Sequence, residues 1–132
     1  MADTKSSRVI GYACEDEEIA LQVDALRNEG ASIIEMEKND GLDLRPEFDR
    51  CLASLTDGDT LIVYGIDRIA KSVRDFITVA VMASGLGASI RSLTQPVDTS
   101  GPAGALLVKV LKEVVALEER TLNGPLTERA VS

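Results

Sequence analysis

The chain has 132 residues, enough for one domain that buries roughly two-thirds of its unfolded surface. Its net charge of −8 speaks against nucleic acid as a default partner, because non-specific affinity comes largely from cations neutralising phosphates. With no histidine at all, Ser-His and Cys-His nucleophile pairs and His-based metal sites are excluded.

Residues 1–7 are polar and read as a loose N-terminus ahead of a core spanning residues 8–102. Arg8 to Ala13 is a short apolar first strand. The run Cys14, Glu15, Asp16, Glu17 and Glu18 follows at once, and four successive carboxylates suit the positive end of a helix macrodipole, so the first helix is expected to open there. It is expected to turn Ile19, Leu21, Val23 and Leu26 inward and to stop at Asn28-Glu29-Gly30. Ala31 to Met36 is a second strand. After a polar loop over residues 37–44, Pro46 fits the first turn of a helix whose Phe48, Leu52 and Leu55 recur at helical spacing and whose end is set by Gly58.

Leu61 to Tyr64, after an Asp57-Gly58-Asp59 turn, reads as a strand buried on both faces. It empties into a polar segment, Asp67 to Ser72, in which Arg68 and Lys71 stand three residues apart. A helix follows from about Val73 to Leu86, with Ser72 as its N-cap. Ala88 to Leu93 is a fourth strand, and Gln95 to Pro102 is rich in turn formers. The last helix occupies residues 103–123, is broken at Asn123-Gly124-Pro125, and leaves a tail over residues 124–132.

Strand and helix alternate throughout. The expected fold is α/β, a doubly wound, mainly parallel sheet of four to five strands with right-handed crossovers. In such sheets the crevice at the carboxyl ends of the strands is the usual ligand site, which puts Arg68 and Lys71 there. The long helix carries Leu106, Leu107, Val108, Val110, Leu111, Val114, Val115 and Leu117, apolar over more than one stripe. Two readings stand: a helix wholly buried in a monomer, or one that packs on its own sheet and also on a second subunit. The second gives a homodimer with Leu107, Val110, Leu111, Val114 and Val115 at the contact.

No stretch approaches the roughly 18 apolar residues of a membrane span, and the first residues lack the apolar core of a signal peptide, so no membrane association is expected. Cys14 and Cys51 are isolated thiols without zinc spacing, which points to a reducing, cytoplasmic setting; Cys51 reads as a core residue. No Gly-x-Gly-x-x-Gly or P-loop pattern is present, and no cofactor or metal is expected.

Six stretches in order resemble the catalytic domain of the serine recombinases, the resolvase and invertase family of DNA strand-exchange enzymes. They are Gly11 to Ala13, Leu21 to Leu26, Arg45 to Phe48, Gly58 to Ser72, Val97 to Gly104, and Val114 to Arg120. The resemblance spans nearly the whole chain and implies a mixed α/β domain followed by a long dimerisation helix. It also implies departures in the active site. The family follows its Tyr-Ala with an arginine and then the attacking serine; here Cys14 to Glu18 occupy that loop, which is several residues shorter before Gln22 and contains no serine. The family's second arginine of the central motif is Lys71, which lacks the bidentate fork, and its Ser-Gly before Arg45 is Asp40-Gly41. Gln22, Arg45, Asp67 and Arg68 remain as family-matching remnants of an anion site. The family's helix usually runs on to a DNA-binding helix-turn-helix, which this sequence is expected to lack.

The resemblance leaves several roles to weigh. Ser72 reads as a cap and Ser6 and Ser7 as residues at the opposite end of the first strand, so none replaces the nucleophile. Cys14 stands nearer the right place, but neighbouring carboxylates raise a thiol's pKa, and an inert side chain is expected. The Glu15 to Glu18 run has three readings: a solvated helical turn, internal compensation of Arg45, Arg68 and Lys71, or a Mg²⁺ or Ca²⁺ site, the last disfavoured because adjacent helical residues do not converge. Arg68 and Lys71 are either an anion-site remnant or loop-capping cations that hold Asp67 or Glu119. The expected function is therefore a serine-recombinase-like domain without catalytic residues, acting as a dimerising regulatory module for an unidentified protein partner. Its direct DNA binding is expected to be weak or absent. The alternatives are a residual or partner-dependent recombinase and, remotely, a receiver-like signalling domain.

Overall fold

A computed structural model describes residues 7–38, 45–95 and 97–123. The loose N-terminus expected over residues 1–7, the loop containing Asp40-Gly41 and the tail at 124–132 lie wholly or almost wholly outside these residues. Four strands alternate with four helices: β1 (Val9–Cys14), α1 (Ile19–Asn28), β2 (Ile33–Glu37), α2 (Pro46–Ala53), β3 (Thr60–Val63), α3 (Val73–Gly85), β4 (Ser89–Ser92) and α4 (Gly101–Asn123). All three strand pairings are parallel, in the order β2-β1-β3-β4. The turn-rich segment after β4 folds back along it: Asp98 bridges antiparallel to Arg91, and the Thr99 N–H donates to the Ile90 carbonyl at 2.9 Å.

Side-chain alternation along the strands divides the core in two. Ile10 and Tyr12 of β1, Leu61 and Val63 of β3, and Ile90 of β4 face a layer built from α2, α3 and the start of α4, with Phe48, Cys51, Leu52, Phe76, Val79, Ala80, Ala83 and Val108. Ala13 and Ile62 face the other way, toward Leu26 of α1. One helix thus covers one face and three cover the other, the doubly wound arrangement expected. Tyr12 and Phe48 meet edge to face, ring centroids 5.0 Å apart.

Two buried carboxylates fasten the layers. Asp59 accepts from the Arg8 N–H at 3.0 Å, from Arg8 Nη2 at 2.6 Å, and from the Thr56 N–H and hydroxyl at 2.8 and 3.0 Å. The Arg8 guanidinium, followed by burial acting against it, holds the Asp59 carboxyl well below the usual carboxylate range. Glu37 accepts the Tyr12 hydroxyl at 2.8 Å and the Glu47 and Phe48 N–H groups at 3.1 and 2.9 Å. The last residue of β2 therefore satisfies two free donors in the first turn of α2, where a helix end favours negative charge.

The start of α1 differs from expectation. The helix begins at Ile19, after the carboxylates rather than with them, and its first turn holds no acidic residue. Asp16 Oδ1 accepts the Glu18 N–H at 2.8 Å, a local turn that competes with helix. Leu21, expected inward, is 56% exposed; Gln22 and Leu26, four residues apart, are the buried pair. Helix α2 ends at Ala53, with Gly58 placed in the following turn at φ 91°.

Candidate functional site

Because β1 and β3 are neighbours while their following helices leave toward opposite faces, the sheet's topological switch point lies between them. Two loops meet there: Glu15 to Glu18 after β1, which ends at Cys14, and Tyr64 to Ser72 after β3, which contains a 3-10 turn at Ile66–Arg68. The contact between them is ionic. Arg68 Nη1 donates to Asp16 Oδ2 and Arg68 Nη2 donates to Glu18 Oε1. The Arg68 side chain is 14% exposed, its guanidinium carbon lies 5.9 Å from the Tyr64 ring centroid, and its Nε is buried without a hydrogen-bond partner among the described residues. Burial disfavours the charged form of Arg68, but Asp16, Asp67 and Glu18 outweigh it and raise the pKa above the ordinary value.

Gln22 positions this loop from below. Fully buried, its Oε1 accepts the Cys14 N–H at 2.9 Å while its Nε2 donates to the Cys14 carbonyl at 2.9 Å and to Asp16 Oδ1 at 3.0 Å. Cys14 is half-buried, its Sγ 3.7 Å from the Arg68 carbonyl. Burial is the main cause raising its thiol pKa, in keeping with an unreactive side chain. Cys51 lies in the core, its thiol pushed up to about 11 by burial.

The other residues singled out by sequence divide. Arg45 does not reach the acidic loop: its Nη2 is 3.4 Å from Asp75 Oδ2, and its guanidinium carbon lies 5.2 Å from the Phe48 ring centroid. The Lys71 N–H donates to the same Asp75 carboxylate at 2.9 Å, and Ser72 caps α3 by accepting the Asp75 N–H at 3.0 Å. Compensation by the acidic run thus involves Asp16 and Glu18 with Arg68, while Glu15 and Glu17 are exposed. Asp67 is exposed beside Gly65, where an added Cβ would crowd its carboxylate. Glu119, together with Glu118, pairs with Arg74 of α3 rather than with Arg68. Ser7 stands near Gly58, before β3 begins and away from Arg68, as expected.

On α4, Val108 is buried and Leu111 and Val115 are half-buried, so the last two belong to the packed side rather than to a free stripe. Leu106, Leu107, Val110, Val114 and Leu117 are exposed. Leu107, Val110, Val114 and Leu117 follow alternating three- and four-residue steps, the spacing of a helix–helix seam. Leu106 and Leu117, not among the contact residues expected from the sequence, are exposed as well, since periodicity alone does not say which side meets α3. The Arg8–Asp59 and Tyr12–Glu37 pairs were also missed; their partners lie far apart in sequence and carry no local signal.

Among the described residues, no helix is long and apolar enough to cross a membrane, and no group of three His, Cys, Asp or Glu side chains is placed to hold a metal ion.

Comparison with known proteins bears on this geometry. The family described as "Resolvase, N terminal domain" matches residues 7–130. The chain is 39% identical over 126 residues to a probable DNA-invertase y4cG of Sinorhizobium fredii (strain NBRC 101917 / NGR234), covering 89% of this chain but 41% of that protein. It is 33% identical over 125 residues to the DNA-invertase of Enterobacteria phage P7, covering 88% of this chain and 67% of the relative. The chain thus spans less than half to about two-thirds of these relatives. The N-terminal catalytic domain of TP901-1 integrase superposes with a TM-score of 0.69 at 25% identity, covering 89% of this chain and 99% of that one. A resolvase family site-specific recombinase from Streptococcus pneumoniae shares the fold with a TM-score of 0.65 at 15% identity. These matches set aside the receiver-like comparison. A parallel sheet in the order β2-β1-β3-β4, a long closing helix and a match over nearly every residue lead to one assignment: the chain belongs to the resolvase N-terminal, or serine recombinase catalytic, domain family.

Proposed function

We propose that this chain is a serine-recombinase-like domain that does not cleave DNA and serves as a dimerising interaction module. The observation that carries the reading is the composition and placement of the loop after β1. Where the family resemblance implies an attacking serine, the chain offers Cys14 to Glu18, and two of those carboxylates sit on Arg68. A serine nucleophile must lose a proton and form a phosphoserine bond while cations hold the phosphate oxygens. Carboxylates in that place form no such bond and repel the phosphate. The exposed seam on α4 supports the dimerising part, since it offers a second copy an apolar face. A protein partner, regulatory in effect, is the remaining element of the reading.

The rival is a residual or partner-dependent recombinase. It is favoured by Gln22, Arg45, Asp67 and Arg68 and by the likeness to relatives named DNA-invertases. Incubation with supercoiled DNA separates the two. The expected result is neither covalent protein–DNA adducts nor relaxation; robust cleavage abolished by a single substitution would overturn the non-cleaving reading.

A further inference from the structure

The ionic contact at the switch point has the form of an occupied anion seat. An arginine fork recognises an oxyanion by giving parallel N–H bonds to two of its oxygens. Here the two terminal nitrogens of Arg68 each receive one oxygen, but from two different residues of the same chain, Asp16 and Glu18. Three features hold the fork in place. Its guanidinium carbon lies 5.9 Å from the Tyr64 ring centroid, its Nε is buried, and Asp16 is fixed by Gln22 Nε2 and by the Glu18 N–H. The two carboxylates are held unequally. Asp16 has three partners and is 23% exposed, whereas Glu18 is 49% exposed and among the described residues its carboxylate is paired with Arg68 alone.

Given the non-cleaving reading above, we propose that Asp16 and Glu18 form an autoinhibitory latch, an internal stand-in for an oxyanion that keeps Arg68 from binding phosphate groups. Glu18 is the half that opens. Once it leaves, Nη2 is free to donate to an incoming phosphate oxygen, while Asp16 stays on Nη1. The latch makes the domain refuse phosphate through its own side chains, with the cationic seat still intact beneath them. That differs from a seat that has been lost, because neutralising the latch restores binding.

The test is titration with inorganic phosphate, followed by NMR shifts of the Cys14 backbone amide and the Gln22 side-chain amide. Both groups hydrogen-bond within the latch or its support. Wild-type protein is expected to give no saturable shift in the range where Glu18→Gln saturates. One recovered charge-assisted bond and one removed repulsion correspond to a gain of about tenfold or more. Asp16→Asn with Glu18→Gln should bind more tightly still, and adding Arg68→Gln should abolish the response. Equal binding by wild type and Glu18→Gln, no binding by Glu18→Gln, or binding that survives Arg68→Gln would each overturn the latch. If the double variant does not fold, the exposed Glu18→Gln substitution decides alone. DNA cleavage by the wild type would remove the non-cleaving reading and still leave this titration to judge the latch.

Discussion

Gln22 grips both polar atoms of one residue: its side-chain amide accepts the Cys14 N–H and donates to the Cys14 carbonyl, each at 2.9 Å. A carboxamide used this way mimics the edge of a neighbouring strand at the point where β1 ends. It sets the direction in which the chain leaves the sheet, and through Nε2 it aims Asp16 at Arg68.

Replacing Gln22 with alanine would strip those bonds and leave a cavity in a fully buried position. The expected loss is about 2–4 kcal/mol, read from the midpoint of urea unfolding. Gln22→Glu should also destabilise, because a carboxylate cannot donate to the Cys14 carbonyl and faces Asp16 at close range. A loss below about 1 kcal/mol for Gln22→Ala would show that the clamp is dispensable.

Asp59 gives an acid-side prediction. Its folded pKa is depressed, first by the Arg8 hydrogen bond. The ionised form is therefore favoured in the fold, and the resulting stability is fully present above the unfolded carboxylate pKa of about 4. It is lost progressively as pH falls below that value toward the folded one. Asp59→Asn should cost about 2–4 kcal/mol at neutral pH, and the gap to wild type should narrow below about pH 4 in denaturant melts. A gap constant across that range would rule out the Arg8–Asp59 pair as its origin.

On the alkaline side the informative group is Tyr12. Burial, then the hydrogen bond to Glu37, hold its phenol well above the ordinary tyrosine range. The proton is thus retained in the fold, and the stability tied to it is present below the unfolded pKa of about 10 and lost as pH rises beyond it. Phenolate absorbance should show a component that appears only as the chain unfolds at high pH, and Tyr12→Phe should remove that component. Free titration of both tyrosines in the folded protein would refute the burial of this hydroxyl.

For the seam on α4, Val110→Glu and Val114→Glu are the cleanest probes, since both side chains are about half exposed. Light scattering should give twice the chain mass for wild type and a monomer for either variant, with the thermal midpoint of the dissociated variants measured at matched concentration. Leu111→Glu is a poorer choice because Leu111 is half-buried in the same chain. Monomeric wild-type protein would dispose of the dimer.

The alternation of strands and helices could be read from the chain because β1 and β3 hold short β-branched or apolar runs and several helices carry their own punctuation, Ser72 at the start of α3 being one example. The strand order was not legible, since pairing joins residues 23 to 51 positions apart, such as Ile10 with Ile33 and with Leu61. Family resemblance supplied Gln22, and the place of Arg68 after the central strand supplied Arg68, but the macrodipole argument misassigned the acidic run to the start of a helix. The Asp16 side chain takes the Glu18 N–H instead, and that bend lets two carboxylates converge where successive helical positions would diverge. Arg45 on Asp75 was equally hidden, as one salt bridge among several possible acidic partners.

The Glu37 carboxylate also has an architectural meaning. By receiving the Glu47 and Phe48 amides, it nails the end of an edge strand to the beginning of the next helix. The intervening stretch is then closed by a fixed staple at its base. The same carboxylate thereby helps to fix Arg45, which stands immediately before that helix.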